Sequence, residues 1–385
     1  MIVHSPNELK ISAFDFNQRP FLVIWETTHA CPLACVHCRA SADKEASPDE
    51  LTHDQAIKLL YDVKDMGTPI FIFSGGDPLM RQDLDELVRI AKSLRLRTGV
   101  IPAVSEMLTQ ARISELKASG LSQIAFSLDA TTAGEHDTFR QVEGVFDHTL
   151  EAIEWAHQIQ LPVQINSLIN VHNTDSLDRL IDLIERLPIV FWEVFFLVPT
   201  GRGTQLPLMS AQKFEEAFVK IYALSQRVPF IVKITEAPHY RRFYIEQEMK
   251  KQGMDPACLT QEGVPLPEYL KRRSGPGGTI GRAPQGVNSG KGFVFVSHKG
   301  EVMPSGFLPV SAGNVKNESL KQVYREAPIM KALRDRTQLK GKCGPCVYND
   351  VCGGSRARAF ALTGDYLAED PCCAYQPESL ESSVI

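Results

Sequence analysis

The stretch Phe21-Leu-Val-Ile-Trp-Glu-Thr27, with Cys31-Pro-Leu-Ala-Cys35-Val-His-Cys38 close behind it, decides how the rest of the chain is read. A short apolar run without polar alternation predicts a strand covered on both faces. The C-x3-C-x2-C segment then supplies three thiolates from one tight loop after that strand. Three is one short of a closed structural zinc site. It suits a four-iron cluster with one iron open to a small ligand. His37, wedged between Val36 and Cys38, is an awkward fourth ligand and is expected to act through ring packing or its backbone.

Similar runs recur at Pro69–Ser74, Thr98–Ile101, Gln123–Leu128, Val163–Ile169 and Ile189–Val198. Helical periodicity fills the gaps. Ala56, Leu59, Leu60 and Val63 share one face behind a Thr52–Gln55 capping box, and Leu84, Leu87, Ile90 and Ala91 form a second stripe. These apolar residues are core. Six βα units in sequence predict an α/β barrel, complete or partial, expected as a partial (β/α)6 TIM-like barrel with its chemistry at the carboxyl ends of the strands.

Composition narrows the function classes. The 385 residues are 43% hydrophobic and 23% charged, with a formal net charge of −5, which argues against a general electrostatic grip on nucleic acid or an anionic membrane. No apolar run is long enough to span a bilayer, and MIVHSPNELK lacks the basic and apolar regions of a secretory signal. A cytoplasmic location is therefore expected. In a reducing compartment, clustered cysteines bind metal more readily than they form disulfides. The nine fall into Cys31, Cys35 and Cys38, then Cys258 alone, then Cys343, Cys346, Cys352, Cys372 and Cys373. Two thiolate sites at opposite ends of the chain read better than a disulfide scaffold. Cys258 reads as a free thiol.

After about residue 240 the pattern changes. Lys271–Gly292 is glycine-rich and carries Arg272, Arg273 and Arg282, reading as a basic loop. Gly286–Lys291 only faintly resembles a phosphate loop, because no Ser or Thr follows the lysine. Gly292–Ser297 and Glu301–Met303 predict a hairpin, with a helix over about 319–334 and then the second cysteine cluster. The expected division is an N-terminal arm (1–19), the barrel (20–235), a linker helix and loop (236–291) and a small cysteine-rich α+β extension (292–385).

With the cysteine loop at the end of a first barrel strand, the sequence resembles the radical S-adenosylmethionine (SAM) superfamily. Ser74-Gly75-Gly76-Asp77-Pro78 stands where that family has a Gly-Gly-acid-Pro motif for the SAM amino group. Ser127 and Asp129 stand where polar residues meet its ribose or carboxylate, and Asn166 closes the fifth strand at another SAM-contacting position. Arg140 is a further candidate for the SAM carboxylate. Taken singly, the glycine pair is also a plain strand-end turn, Asp129 a helix cap and Arg140 a surface ion pair. The resemblance implies that Cys31, Cys35 and Cys38 hold a [4Fe–4S] cluster whose open iron SAM chelates. It implies reductive cleavage of SAM to a deoxyadenosyl radical that takes hydrogen from substrate, and a low-potential electron donor of flavodoxin or ferredoxin type.

The second cluster, C-x2-C-x5-C with a later cysteine pair, fits zinc or iron–sulfur by spacing alone. The family resemblance extends to the C-terminal extension called SPASM or twitch, which implies an auxiliary [4Fe–4S] cluster on Cys343, Cys346, Cys352 and Cys373, with Cys372 as the alternative fourth ligand. Ser305 and Ser355 stand where that extension usually has cysteines, so one auxiliary cluster is expected instead of two. The segment Cys352-Gly-Gly-Ser-Arg-Ala-Arg-Ala359 is similar to radical SAM enzymes of alternative haem biosynthesis. That similarity implies a carboxylate-bearing tetrapyrrole substrate. Arg356 and Arg358 are candidates to meet its carboxylates, unless they pair with Asp365 or Asp370. Arg202 and the basic loop with Lys291 are further candidates. A peptide maturase and a non-catalytic iron–sulfur or zinc protein are the alternatives.

Overall fold

The computed structural model describes residues 14–256 and 286–377; Cys258, Arg272, Arg273 and Arg282 lie outside them. The strands β1 (Leu22–Glu26), β2 (Ile70–Ser74), β3 (Arg97–Val100), β4 (Gln123–Ser127), β5 (Val163–Ile169), β6 (Phe191–Phe196) and β7 (Ile231–Thr235) run parallel and pair in chain order. The crossovers are α1 (His53–Asp65), α2 (Leu84–Ser93), α3 (Gln110–Ala118), α4 (Ala133–Arg140), α5 (Val145–Gln158), α6 (Leu177–Glu185) and α7 (Ala211–Ser225). The six expected strands are present, and β7 adds a seventh on β6. This is a partial barrel, with β7 ending the sheet on one side.

The far side is not an edge either. After α8 (Tyr240–Lys251) and β8 (Asn288–Ser289), β9 (Gly292–Val296) pairs parallel with β1. Next, β10 (Glu301–Met303) folds back antiparallel on β9, and β11 (Gly313–Asn314) pairs with β10. The C-terminal extension thus continues the barrel sheet and covers the unpaired backbone that β1 would otherwise expose. The helix expected over about 319–334 is two, α9 (Leu320–Glu326) and α10 (Pro328–Arg334). Pro328 has no N–H to give and holds Ala327 in extended backbone, with ψ of 133°. The last helix is α11 (Arg356–Thr363).

One face of the sheet is apolar except for the buried hydroxyls of Thr98 and Ser167. Trp25, Phe71, Phe73, Phe126, Ile165, Trp192 and Val194 are wholly buried on it, the helical stripes meet them, and the Thr52–Gln55 capping box starts α1 as expected. The opposite face is more polar than the strand runs predicted. Ser127, Asn166, Glu193 and Lys233 sit in register across β4 to β7, and Glu26 sits opposite Ser74 at the tops of β1 and β2. The reading of strands covered alike on both faces holds only for the helix-facing side.

Candidate active site

The loop after β1 carries Cys31, Cys35 and Cys38, and its shape is set by three neighbouring strand ends. Gly76 donates its N–H to the Thr28 carbonyl at 2.8 Å, and Asp77 donates to that of Ala30 at 2.7 Å. A Cβ on Gly75, whose φ is +144°, would come 2.7 Å from the Thr28 carbonyl oxygen, and one on Gly76 would collide with the Ala30 carbonyl. The pair is glycine because the backbone before Cys31 lies against it, a tighter demand than an ordinary turn makes. Gly201, with φ of +57°, does the same after β6, where a Cβ would strike the carbonyls of Cys38 and Arg39.

Two arginines hold the loop tip. Arg202 donates from Nε to the Cys35 carbonyl at 2.9 Å and from Nη1 to that of Ala42 at 3.0 Å, while its Nη2 is buried without a partner. Its geometry is that of a brace for the cysteine loop, not of a group reaching for a distant substrate. Arg140, at the end of α4, pairs with Asp129 and lies 3.8 Å from Cys35 Sγ through Nη1. Burial raises the Asp129 carboxyl, but Arg140 and the neighbouring His37 and His136 outweigh it and hold it below the usual range. The ring of His37 stacks on Phe139 at 4.4 Å and 5°, and burial drops its pKa to about 3, so it stands neutral and packed. That is the role expected for it.

Asp77 is fully buried. Its carboxylate accepts from Leu79 N at 3.0 Å, Ala103 N at 3.2 Å and Ser105 Oγ at 3.1 Å, so it ties the β2 and β3 loops together. Pro78 opens the short helix that follows. Asn166 accepts from Gln164 Nε2 at 2.7 Å, in a chain that runs on to Glu193, Lys233 and Thr235 across β6 and β7. Lys233 and Glu193 had no motif to announce them. Only cross-strand register reveals them.

The donor set fits an open four-iron cluster: three thiols from one loop, none in a disulfide, with a cation beside Cys35. Burial pushes the Cys31 thiol up to about 12, so without metal it would stay protonated.

The second cysteine group lies at the end of the extension. Gly354 brings two of the group's thiols together: its N–H donates to Cys352 Sγ at 3.3 Å, and a Cβ on it would lie 3.2 Å from Cys343 Sγ. The Cys372 thiol points to the Met209 carbonyl at 3.8 Å. The two serines in cysteine positions converge on one carboxylate. Ser355 Oγ donates to Glu236 Oε2 at 2.6 Å and Ser305 Oγ to Glu236 Oε1 at 3.3 Å. Burial pushes the Glu236 carboxyl above its ordinary range.

Arg356 and Arg358 are 2% and 0% exposed. Arg358 pairs with Asp370 at 3.1 Å and with the carbonyls of Leu197 and Glu236; Arg356 donates to those of Tyr366 and Ala368. Lys291 is held by the Asp350 carbonyl at 3.0 Å. Both guanidiniums are partnered by the protein, Arg358 by Asp370 as the local-acid alternative had it, because burial demands a partner for each.

Residues 25–187 match the radical SAM superfamily. The chain is 37% identical over 358 residues to the AdoMet-dependent heme synthase of Methanosarcina barkeri, covering 93% of this chain and 97% of that protein. It is 36% identical over 361 residues to the protein of the same name from Nitratidesulfovibrio vulgaris, covering 93% of each. The fold is shared with the crystal structure of Streptococcus suis SuiB, with a TM-score of 0.70 and 16% identity over 93% of this chain and 78% of that one. The chain belongs to the radical SAM superfamily and is an enzyme of that class, using SAM with a [4Fe–4S] cluster. Among the described residues no helix is long and apolar enough to cross a membrane.

Proposed function

We propose that this enzyme acts on the carboxylate side chains of an iron tetrapyrrole, in keeping with relatives named AdoMet-dependent heme synthase, and that it carries one auxiliary [4Fe–4S] cluster. The observation that carries the substrate class is the 37% identity to a heme synthase along 93% of the chain, barrel and extension together. Cys31, Cys35 and Cys38 would hold the SAM-binding cluster, which supplies one-electron chemistry for cleaving the sulfonium. Around it the chain's own residues do the positioning. Gly75 and Gly76 seat the loop, Arg202 fixes the Cys35 carbonyl, and Arg140 places a positive charge beside the Cys35 sulfur. Ser127, Asn166 and the Glu193–Lys233 pair line the polar face of the sheet, with Ser127, Asp129 and Asn166 the candidates for SAM.

For the auxiliary cluster, Cys343, Cys346, Cys352 and Cys373 are the ligands. The meeting of Cys343 and Cys352 at Gly354 supports the set, and the orientation of Cys372 toward Met209 supports leaving that residue out. The Ser305–Glu236–Ser355 contact supports a single cluster, since it fills the place that further thiolates would serve. A closed set of four ligands favours electron transfer over substrate ligation. A low-potential flavodoxin or ferredoxin is the proposed donor, and the cytoplasm the proposed location.

The test is anaerobic incubation of the reconstituted enzyme with SAM, dithionite and an iron porphyrin bearing several propionates, followed by mass spectrometry. Stepwise loss of carboxylate mass with formation of 5′-deoxyadenosine supports the reading. Deoxyadenosine without change in the porphyrin would overturn the substrate class and leave the superfamily assignment standing.

A further inference from the structure

Outside both cysteine groups, Glu26, His29 and His298 bring one carboxylate oxygen and two imidazole nitrogens within 4.8 Å of one another. They come from distant parts of the chain. Glu26 ends β1, His29 lies in the loop before Cys31, and His298 sits in the turn between β9 and β10. We propose that these three residues form a site for a single divalent first-row transition ion, of the zinc or ferrous class, which clips the extension's hairpin to the barrel.

Three observations carry this. The carboxylate is 4% exposed, and His298 Nδ1 lies 2.6 Å from its Oε2, a contact that orients the ring and leaves Nε2 as the nitrogen to meet an ion. His29 Nδ1 is buried without a hydrogen-bond partner, a cost a ligated ion removes. The two imidazole rings have centroids 4.8 Å apart. Two histidines bound side by side on one ion, with metal–nitrogen bonds near 2.0–2.1 Å, place their centroids about 4.5–5 Å apart. Histidines on opposite faces of a porphyrin iron would need roughly 6 Å at such bond lengths, so the spacing favours a small ion over a sandwiched haem.

Charged groups flank the site. Arg39 Nη2 sits 3.3 Å from the other Glu26 oxygen, and Glu50 accepts from the His29 N–H at 2.7 Å, so a second carboxylate lies beside the site. Two imidazoles and one carboxylate form a set that zinc and ferrous iron accept, with positions left for water.

The test uses the anaerobically reconstituted holoenzyme, whose seven cluster-binding thiols are already occupied. It is dialysed against micromolar Zn2+, and zinc and iron are measured on the same sample. Wild type is expected to retain about one zinc per chain, while His298→Ala and His29→Ala retain less than a tenth of that with iron unchanged. His298→Ala is the cleaner variant, since it is remote in sequence from the cysteine loop. Added Zn2+ should raise the melting temperature of wild type and leave His298→Ala unmoved. Full iron with no retained zinc in wild type would overturn the site, as would equal zinc in wild type and His298→Ala. A ferric porphyrin spectrum that shifts in wild type but not in His298→Ala, without zinc uptake, would also overturn it by moving His298 to the substrate iron. None of these readouts depends on turnover.

Discussion

The two cysteine regions solve opposite problems. At the barrel mouth the loop of Cys31, Cys35 and Cys38 is shaped by glycines pressed against it and by an arginine gripping its carbonyls. The support acts on the backbone, and the cation beside it, Arg140, is half-committed between Asp129 and Cys35. The extension instead carries a buried Arg358–Asp370 ion pair, whose carboxylate accepts from the backbone N–H groups of Ser355 and Cys372 and lies 3.6 Å from His239. With the proposed ligand sets, the first site would leave one position open for a ligand and the second would close every position with protein. The difference teaches that thiol number sets what a cluster can bind, while the polar groups beneath it set how firmly the fold is held.

The largest expected effect breaks the first region alone. Cys35→Ala should abolish deoxyadenosine formation and lower iron from about eight to about four per chain, measured by iron assay and product chromatography. Retained SAM cleavage would remove Cys35 from the open site.

Arg358→Ala should be nearly as severe in the other region. Removing one partner of a buried pair costs about 3–5 kcal/mol, here by leaving Asp370 charged in the interior. The extension is expected to lose its iron and the melting temperature to fall by several degrees, while the barrel's iron remains. An unchanged melting curve would show that the pair contributes no net stability.

The ligand assignment sharpens the comparison further. Cys373→Ser should lose the auxiliary iron and Cys372→Ser should keep it, read by iron content and the electron paramagnetic resonance of the reduced enzyme. The reverse result would exchange the two cysteines.

The smallest effect is a pH dependence. Burial raises the Asp370 carboxyl, but Arg358 and His239 hold it well below the ordinary carboxylate range. Asp129 is depressed in the same sense by Arg140. A carboxyl with a lowered folded pKa contributes stability above its unfolded value of about 3.9 and loses it as pH falls through the folded value. Stability should therefore decline below about pH 4, and Asp370→Asn should flatten that part of the curve in an acid titration followed by fluorescence. An identical acid limb in wild type and variant would dismiss the linkage.

Much of the barrel was legible in the sequence because β1 to β6 are short apolar runs and their helices carry 3.6-residue stripes. The cysteine loop and Gly75-Gly76 were legible because thiolate spacing and backbone clearance are local demands. Other features were not. β7 is Ile231-Val-Lys-Ile-Thr235, with a lysine in the middle that only the register against Glu193 explains. Arg356 and Arg358 looked like substrate contacts, since burial cannot be read from two arginines on a short helix. The meeting of Ser305 and Ser355 on Glu236, and of His298 with Glu26 and His29, joins residues from separate segments of the chain. By itself the sequence determined element type, the placement of thiols and the family, because these follow from periodicity and near-neighbour spacing. The tertiary structure alone decided which buried charges pair and which distant histidines share a carboxylate, because those contacts are set by strand order and by the need to satisfy every polar group taken out of water.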